Sequence, residues 1–382
     1  MNSESSENKR HRYTRPPIEK RKGLSLSRSK TYQRILFHTH HLKFVTAPIL
    51  AAMIYSDRQL DILPPAGKKY GDKSKAPSEG KNIDTVQRQI RKLWQHGYLE
   101  KRVQIVKNYT HHDPESENPL YTPDIYILGK LGRQYLAKEV FGVPYSEIKS
   151  PALPDLAAAH RGHPQGDYAR LLHSRLISEV IAGFYLLASL NKERYEIVWS
   201  CHDREFDYEY MKQGKKRRLI PDGIIILKNK ESGRMANFFL EIDRNTETMT
   251  KFSHKLRSYG ELLRDQETGI YDIFIPLYEK IASGLEPVDL DLKHGNNFRV
   301  LTLTTGEKHR DFLAKSTNAH FNDSGAVRKG FWFGLLDTFT FHKREISKSN
   351  PKQVLDFSKL ETIFTPLFKV PGKEGPVQLL RK

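Results

Sequence analysis

Lys215-Lys216-Arg217-Arg218-Leu219-Ile220-Pro221-Asp222-Gly223-Ile224-Ile225-Ile226-Leu227, answered by Phe238-Phe239-Leu240-Glu241-Ile242-Asp243-Arg244, is the stretch whose reading decides the fold. The two apolar, β-rich runs are separated by Lys228 to Arg234, where Asn229, Ser232 and Gly233 favour a turn, and they read as an antiparallel hairpin. A turn centred near residues 231 and 232 places Asp222 opposite Glu241, because positions equidistant from the turn face one another. Side chains alternate along a strand, so Asp243 shares the face of Glu241 while Leu240 and Ile242 point the other way. Three carboxylates therefore meet at the open end of one hairpin, beside four cations. Oxygen ligands on a rigid sheet suit Mg²⁺ or Mn²⁺, and adjacent cations suit a phosphate backbone. The plainer reading starts a strand at Asp222 after a proline turn and pairs Glu241 and Asp243 with Arg244 and nearby lysines on the surface.

Outward from the hairpin, Thr246 to Leu263 carries Met249, Phe252, Leu256, Tyr259 and Leu263 on one face and reads as a helix packed on the sheet. Lys251 and Lys255 flank that face one turn apart. Upstream, Asp167 to Leu190 reads as a helix with Leu171, Leu172, Leu176, Val180, Phe184 and Leu187 inward, carrying His173 and Glu179, and Tyr195 to Ser200 as a strand. Downstream come a strand from Phe298 to Thr304, a helix through Arg310 to Ala314 and a strand from Phe331 to Leu336. Beyond Lys343 the pattern weakens, and Val354 to Phe368 reads as a peripheral extension.

Pro221-Asp222 before Glu241-Ile242-Asp243 resembles the core motif of the PD-(D/E)xK, or restriction-endonuclease-like, superfamily. Pro221-Asp222-Gly223, the run from Phe238 to Arg244 and Lys255-Leu256-Arg257-Ser258-Tyr259, placed after an N-terminal winged helix, resemble more specifically the replication-relaxation family of plasmids and other mobile elements. The similarity spans roughly Tyr32 to Phe341, and its specificity lies in the order of the motifs. The resemblance implies an α/β chain, α+β overall: a winged helix-turn-helix, then a restriction-endonuclease-like domain with a central mixed sheet, in the order α, β, β, β, α, β, α, β. It also implies Asp222, Glu241, Asp243 and Lys255 as the catalytic set, with Asp222 and Glu241 as ligands of Mg²⁺ or Mn²⁺ and the Ile242 carbonyl as a further ligand. One position departs from the pattern, since Asp243 stands where the motif has lysine. Lys255, or else Lys251, then supplies the cation from the following helix, and Asp243 widens the metal site. In this fold the helix before the sheet can lend an acidic residue, for which Glu179 is the candidate, the alternative being a plain surface charge.

The chain of 382 residues holds 63 Lys plus Arg against 45 Asp plus Glu, a formal charge of +18 that favours a polyanionic partner. Nucleic acid is the expected partner, because no apolar run approaches the roughly 20 residues a membrane helix needs. The single Cys201 excludes an intrachain disulfide framework. With no apolar secretory segment among the first thirty residues, the expected setting is the cytoplasm.

Residues 1–30, with nine Lys and Arg among serines and prolines, read as a disordered basic arm. Thr31 to Leu42 is a helix, and a second begins near Thr46 as N-cap with Pro48 in its first turn. After a polar connection from Ser56 to Gly80, Asp84 opens a third helix that Gly97 ends. Val86, Ile90 and Leu93 form its apolar face, while Arg88, Arg91, Lys92 and Gln95 project from the other. A hairpin of Val103 to Val106 with Asp124 to Leu128, its loop holding Lys107, His111 and His112, completes a winged helix-turn-helix over 31–140. Its third helix would enter the major groove of double-stranded DNA. The alternative is a protein-contact module with a solvated helix face. His38-Thr39-His40-His41 resembles the paired histidines of rolling-circle relaxases, but that chemistry needs a strand, and here a helical pattern carries them without a tyrosine nucleophile beside them. Residues 141–166 form a linker punctuated by Pro and Gly, 167–345 the nuclease-like domain, and 346–382 a C-terminal extension. Three functions fit. The first is a DNA-binding protein of a mobile element that nicks or cleaves DNA with Mg²⁺. The second is a replication or partition factor whose silent nuclease-like domain grips DNA or a replication protein through Lys215, Lys216, Arg217 and Arg218. The third, a transcriptional repressor, leaves the carboxylates without a role.

Overall fold

The structure is a computed structural model that describes residues 29–59, 83–102, 124–148, 164–202, 206–244, 249–268, 298–345 and 352–380, with a few single positions beside them. The basic arm, the polar connection, Val103 to Val106, the loop with Lys107, His111 and His112, and most of the linker lie outside the described residues.

Three helices come first: α1 (Lys30–Leu42), α2 (Ala47–Gln59) and α3 (Ile83–Gln95). Thr46 caps α2 as its sequence suggests, its Oγ1 accepting from the Ile49 amide at 3.4 Å. Helix α3 buries Ile83, Val86, Ile90 and Leu93 at i, i+3, i+7 and i+10. Each such side chain contributes roughly 1.5–3 kcal/mol when removed from water. Gly97, at φ 83°, ends the helix in the left-handed conformation that favours glycine. Strands β1 (Leu99–Arg102) and β2 (Ile125–Leu128) then pair antiparallel from Leu99 opposite Leu128, and α4 (Lys130–Tyr135) follows. The histidine run is helical. His38 is buried and its Nε2 lies 2.7 Å from Asp57, which also accepts from Arg34 at 2.6 Å, while His41 reaches Ser200 at 2.8 Å.

The long helix α5 (Pro164–Leu190) leads into a five-stranded sheet of β3 (Tyr195–His202), β6 (Gly223–Asn229), β7 (Met235–Asp243), β8 (Phe298–Thr304) and β9 (Phe331–Leu335), in that spatial order. Between β3 and β6 the chain makes a separate ribbon, β4 (Tyr208–Lys212) with β5 (Lys215–Leu219). Pairing is antiparallel across β3, β6 and β7 and parallel across β7, β8 and β9. A mixed sheet follows from the connections, a tight turn for the first hairpin and helical crossovers after it. The crossovers are α6 (Met249–Thr268), then α7 (Glu307–His320) with α8 (Gly325–Lys329). The fold class read from the sequence, mixed α/β around a central mixed sheet, is the one observed.

Alternation along the strands separates two apolar cores. Ile224, Ile226 and Phe239 face α6 and α7, whereas Ile225, Leu227, Phe238 and Leu240 face α5. Gly260 on α6 allows the Phe321 ring to lie on the helix backbone, since a Cβ there would come within 2.6 Å of the ring. On the α5 side a single apolar cluster runs from α1, α2 and α3 through α5 to the sheet. Ser178 adds a bond to the Leu42 carbonyl at 2.7 Å. This double burial explains the composition of α5. Its segment Leu171–Leu190 is long and apolar enough to cross a membrane by length and composition, which corrects the expectation that no apolar run approaches that length, yet it is 67% buried inside the protein.

The C-terminal segment corrects another expectation. Strands β10 (His342–Glu345) and β11 (Lys352–Leu355) form a hairpin, with helix α9 (Ser358–Glu361) after it. Far from being peripheral, Leu355, Leu360, Ile363, Phe368, Val370, Leu379 and Leu380 are buried in the α5-side core. Lys369 bridges to Phe333 at the outer edge of β9, and the Phe368 ring fills the space where Gly334 has no side chain. Apolar residues at irregular spacing in short turns and bridges carry no period, so the sequence hides this packing.

Candidate functional site

The site grows from the turn of the β6–β7 hairpin. The Asn229 side chain accepts from the Ser232 amide at 3.0 Å, and Gly233 takes φ 67°, which sets a loop centred between residues 231 and 232. Gly223 therefore pairs with Leu240, and the next rung sets Asp222 opposite Glu241. The backbone completes that rung, with the Asp222 amide donating to the Leu240 carbonyl at 3.0 Å. One Asp222 carboxyl oxygen then accepts from the Ile242 amide at 2.7 Å. The register inferred from turn symmetry is thus the register found.

Each of the three carboxylates has a nitrogen-bearing partner from a different helix. Asp222 Oδ1 lies 3.0 Å from His173 Nε2 on α5. Glu241 Oε2 accepts from Lys255 Nζ on α6 at 2.5 Å, and its other oxygen accepts from the Tyr259 hydroxyl, one turn further along the same helix. Asp243 Oδ2 lies 2.6 Å from His309 Nε2 on α7. Glu241 and Asp243 are both deeply buried, whereas Lys255 is partly open to water.

These surroundings drive the two facing carboxyls apart. Burial, reinforced by the negative charge of Asp222, pushes Glu241 up to about 7, although Lys255 and the Tyr259 hydrogen bond pull the other way. Burial also opposes ionisation of Asp222. The His173 bond and charge, the Lys255 charge and the Ile242 amide outweigh it and hold that carboxyl below its ordinary range. The pair divides into one committed anion and one carboxyl poised near neutrality.

The structure thus brings Asp222, Glu241 and Lys255 together, with Asp243 two residues along the same strand. Lys251 is exposed on α6, and Lys255 holds the carboxylate. Glu179 is not the residue α5 lends. It lies 3.8 Å from Arg175 and from His342, and His173 comes to Asp222 in its stead. Ile177, a turn after His173, packs within 3.5 Å of where a Gly223 side chain would stand, a contact that sequence does not signal. Tyr259 and His309 were missed as site residues.

The basic residues are less concentrated than their sequence suggests. Lys215 to Arg218 form strand β5 of the ribbon, where Lys216 pairs with Glu209 at 2.7 Å and Arg218 binds Asp207 through Nε at 2.6 Å. The ribbon is anchored by Tyr208 and Tyr210, whose hydroxyls donate to the Ile273 carbonyl at 3.0 Å and to Glu261 at 2.9 Å. Alternation of Tyr208, Tyr210 and Leu219 inward with charge outward makes this a strand pair, a pattern the basic run masks. On α3, Arg88 and Lys92 are exposed and Arg91 and Gln95 partly so, and the helix also lies against β11.

The site therefore lies at one strand end of a helix-flanked mixed sheet, where acidic residues face one another and a helix lysine holds one of them. Residues 73–276, more than half of the chain, match the replication-relaxation family, and the chain belongs to that family. The match takes in α3, the ribbon, Asp222, Glu241, Asp243 and Lys255, and it ends before His309. No curated protein matches the chain. Among solved structures it is similar to the restriction endonuclease FokI bound to DNA, at 13% identity and a TM-score of 0.23, over 70% of this chain and 41% of that one. The matched part is therefore less than half the length of that endonuclease.

Proposed function

We propose that this replication-relaxation protein binds double-stranded DNA and nicks or cleaves it at the Asp222–Glu241 site, in the replication of a plasmid or other mobile element. The observation that carries the reading is Asp222 set opposite Glu241 just past the last Gly223–Leu240 pair, with Lys255 on the second carboxylate. Among the described residues no group of three or more His, Cys, Asp and Glu is placed to hold a metal ion. A Mg²⁺ or Mn²⁺ ion does not require such a group, since such ions keep much of their water shell and bind through one or two carboxylates. Asp222 and Glu241 fit that requirement, and the charge repulsion that helps raise Glu241 is what a divalent cation would relieve.

When bound, the ion would supply a Lewis acid and acidify a coordinated water. The chain's own residues do the rest. His173 fixes the orientation of Asp222, and Tyr259 fixes that of Glu241. Lys255 brings a positive charge to the place where charge accumulates on the phosphorus oxygens. Supercoiled plasmid incubated with the purified chain and Mg²⁺ or Mn²⁺ should be converted to nicked or linear forms, and EDTA should prevent this.

The second reading, a silent nuclease-like domain, is favoured by Asp243 at the motif's lysine position. Unchanged plasmid in the presence of both metals would select it. In either case α1 to α3 with the β1–β2 hairpin serve as the winged helix-turn-helix that finds the site. Arg88→Ala with Arg91→Ala should weaken binding of a cognate duplex about tenfold or more and flatten its salt dependence. Equal affinity of parent and variant, measured by electrophoretic shift, would remove α3 from the interface.

A further inference from the structure

Asp243 has no part in the proposed cleavage, although its side chain is only 2% exposed. It lies two residues beyond Glu241 on the same face of β7, about 7 Å along the strand. A carboxylate so deeply buried needs a partner, and His309 supplies it at 2.6 Å. The placement follows from topology. Strands β7 and β8 run parallel with Asp243 beside Thr304, so the chain leaving β8 enters α7 at the same end of the sheet and sets His309 in the first turn. The imidazole stacks near Phe312, with ring centroids 6.2 Å apart, and stays 19% exposed. Nε2 is committed to Asp243, and Nδ1 is the ring's other polar atom.

We propose that His309, oriented by Asp243, is a phosphate-binding residue that touches the nucleic-acid backbone beside the Asp222–Glu241 rung. The inference rests on the reading that DNA crosses this end of the sheet. His173, Lys255 and His309, one from each of three helices, thus each bring a nitrogen-bearing group to one of the three carboxylates. A polyanion approaching the end of the sheet meets nitrogen-bearing groups that the carboxylates have already oriented. Asp243 is a positioning residue in this arrangement, and His309 makes the contact.

The test is binding of the full chain to a short fluorescent duplex in EDTA, read by anisotropy across a salt series. His309→Ala should weaken binding about 3–10-fold and lower the slope of log K against log salt by about one, while His309→Arg restores both. Thermal melts of the same variants separate contact from support. Parental affinity and slope in His309→Ala would overturn the proposal, as would a loss that follows a lower Tm and is not restored by arginine. Lys255→Ala distinguishes the underlying reading. If it weakens binding and His309→Ala does not, the histidine contact alone falls; if neither changes binding, DNA does not lie at this end of the sheet and both fall.

Discussion

Asp222→Ala leaves supercoiled plasmid uncut in Mg²⁺ or Mn²⁺, at a rate at least ~10³-fold below the parent, while the protein stays folded and keeps its affinity for DNA. That ratio corresponds to about 4 kcal/mol of barrier. The expectation follows from what the side chain does: it faces Glu241 across the terminal rung and makes its bonds to His173 and the Ile242 amide at the sheet's end. Asp222 lies outside both apolar cores, so its removal opens no apolar cavity and costs only its contacts to His173 and the Ile242 amide. Glu241→Ala should match it in activity. Lys255→Ala should slow nicking by a smaller factor, since its charge assists at the phosphorus oxygens without holding the site together. Gel conversion of plasmid under single-turnover conditions checks all three, and an Asp222→Ala protein that nicks at the parental rate would end the assignment.

The second large effect is on stability and pH. In the metal-free protein Glu241 is held up at about 7 against a reference of 4.5. Its folded form thus binds the proton more tightly than its unfolded form. The associated stability is fully present below about pH 4.5 and is lost as pH rises through 7. Asp222 works in the opposite sense: its lowered value contributes stability above the ordinary carboxylate range, lost only in acid. Between pH 5 and 8 the Glu241 contribution therefore governs the slope. Glu241→Gln, which cannot ionise, should gain on the parent by roughly 1–3 kcal/mol between pH 5.5 and 8, a rise of a few degrees in relative Tm. Melting curves in EDTA at the two pH values supply the number. A variant whose advantage is the same at both would show that Glu241 does not titrate in this window.

Much of the site was legible because it is local. A hairpin's register depends on its turn, and Asn229, Ser232 and Gly233 lie within the stretch that had to be read, so Asp222 and Glu241 could be paired from spacing alone. Lys255 followed from helical period on the next element. His173, Tyr259 and His309 were harder for different reasons. His173 and His309 sit on elements that reach the sheet's end from opposite faces, and only tertiary packing shows that α5 lends a histidine where an acidic residue was expected. Tyr259 was visible as an apolar-face residue, and its hydroxyl is what the period could not assign. The β4–β5 ribbon was hidden by its own charge, since Lys215 to Arg218 read as a cluster until Tyr208 and Tyr210 are seen packed beneath it.

The core shared by α1 to α3, α5 and the sheet bears on how the parts work together. Helices read from sequence as a separate DNA-binding unit pack directly on the helix that carries His173. Arg34, His38 and Asp57 tie α1 to α2, and His41 reaches β3. The proposed contact of α3 with a duplex would thus sit on the same packed body as Asp222 and Glu241.

Calorimetric titration of the EDTA-stripped chain with Mn²⁺ at about pH 7.5, beside Asp222→Ala and Glu241→Ala proteins shown by circular dichroism to be folded, tests the central claim most directly. The account predicts a Mn²⁺ site in the parent that both substitutions abolish, because both ligands face one another on a single rung. Parental Mn²⁺ binding that survives in Asp222→Ala and Glu241→Ala, or no binding by the parent, would contradict it.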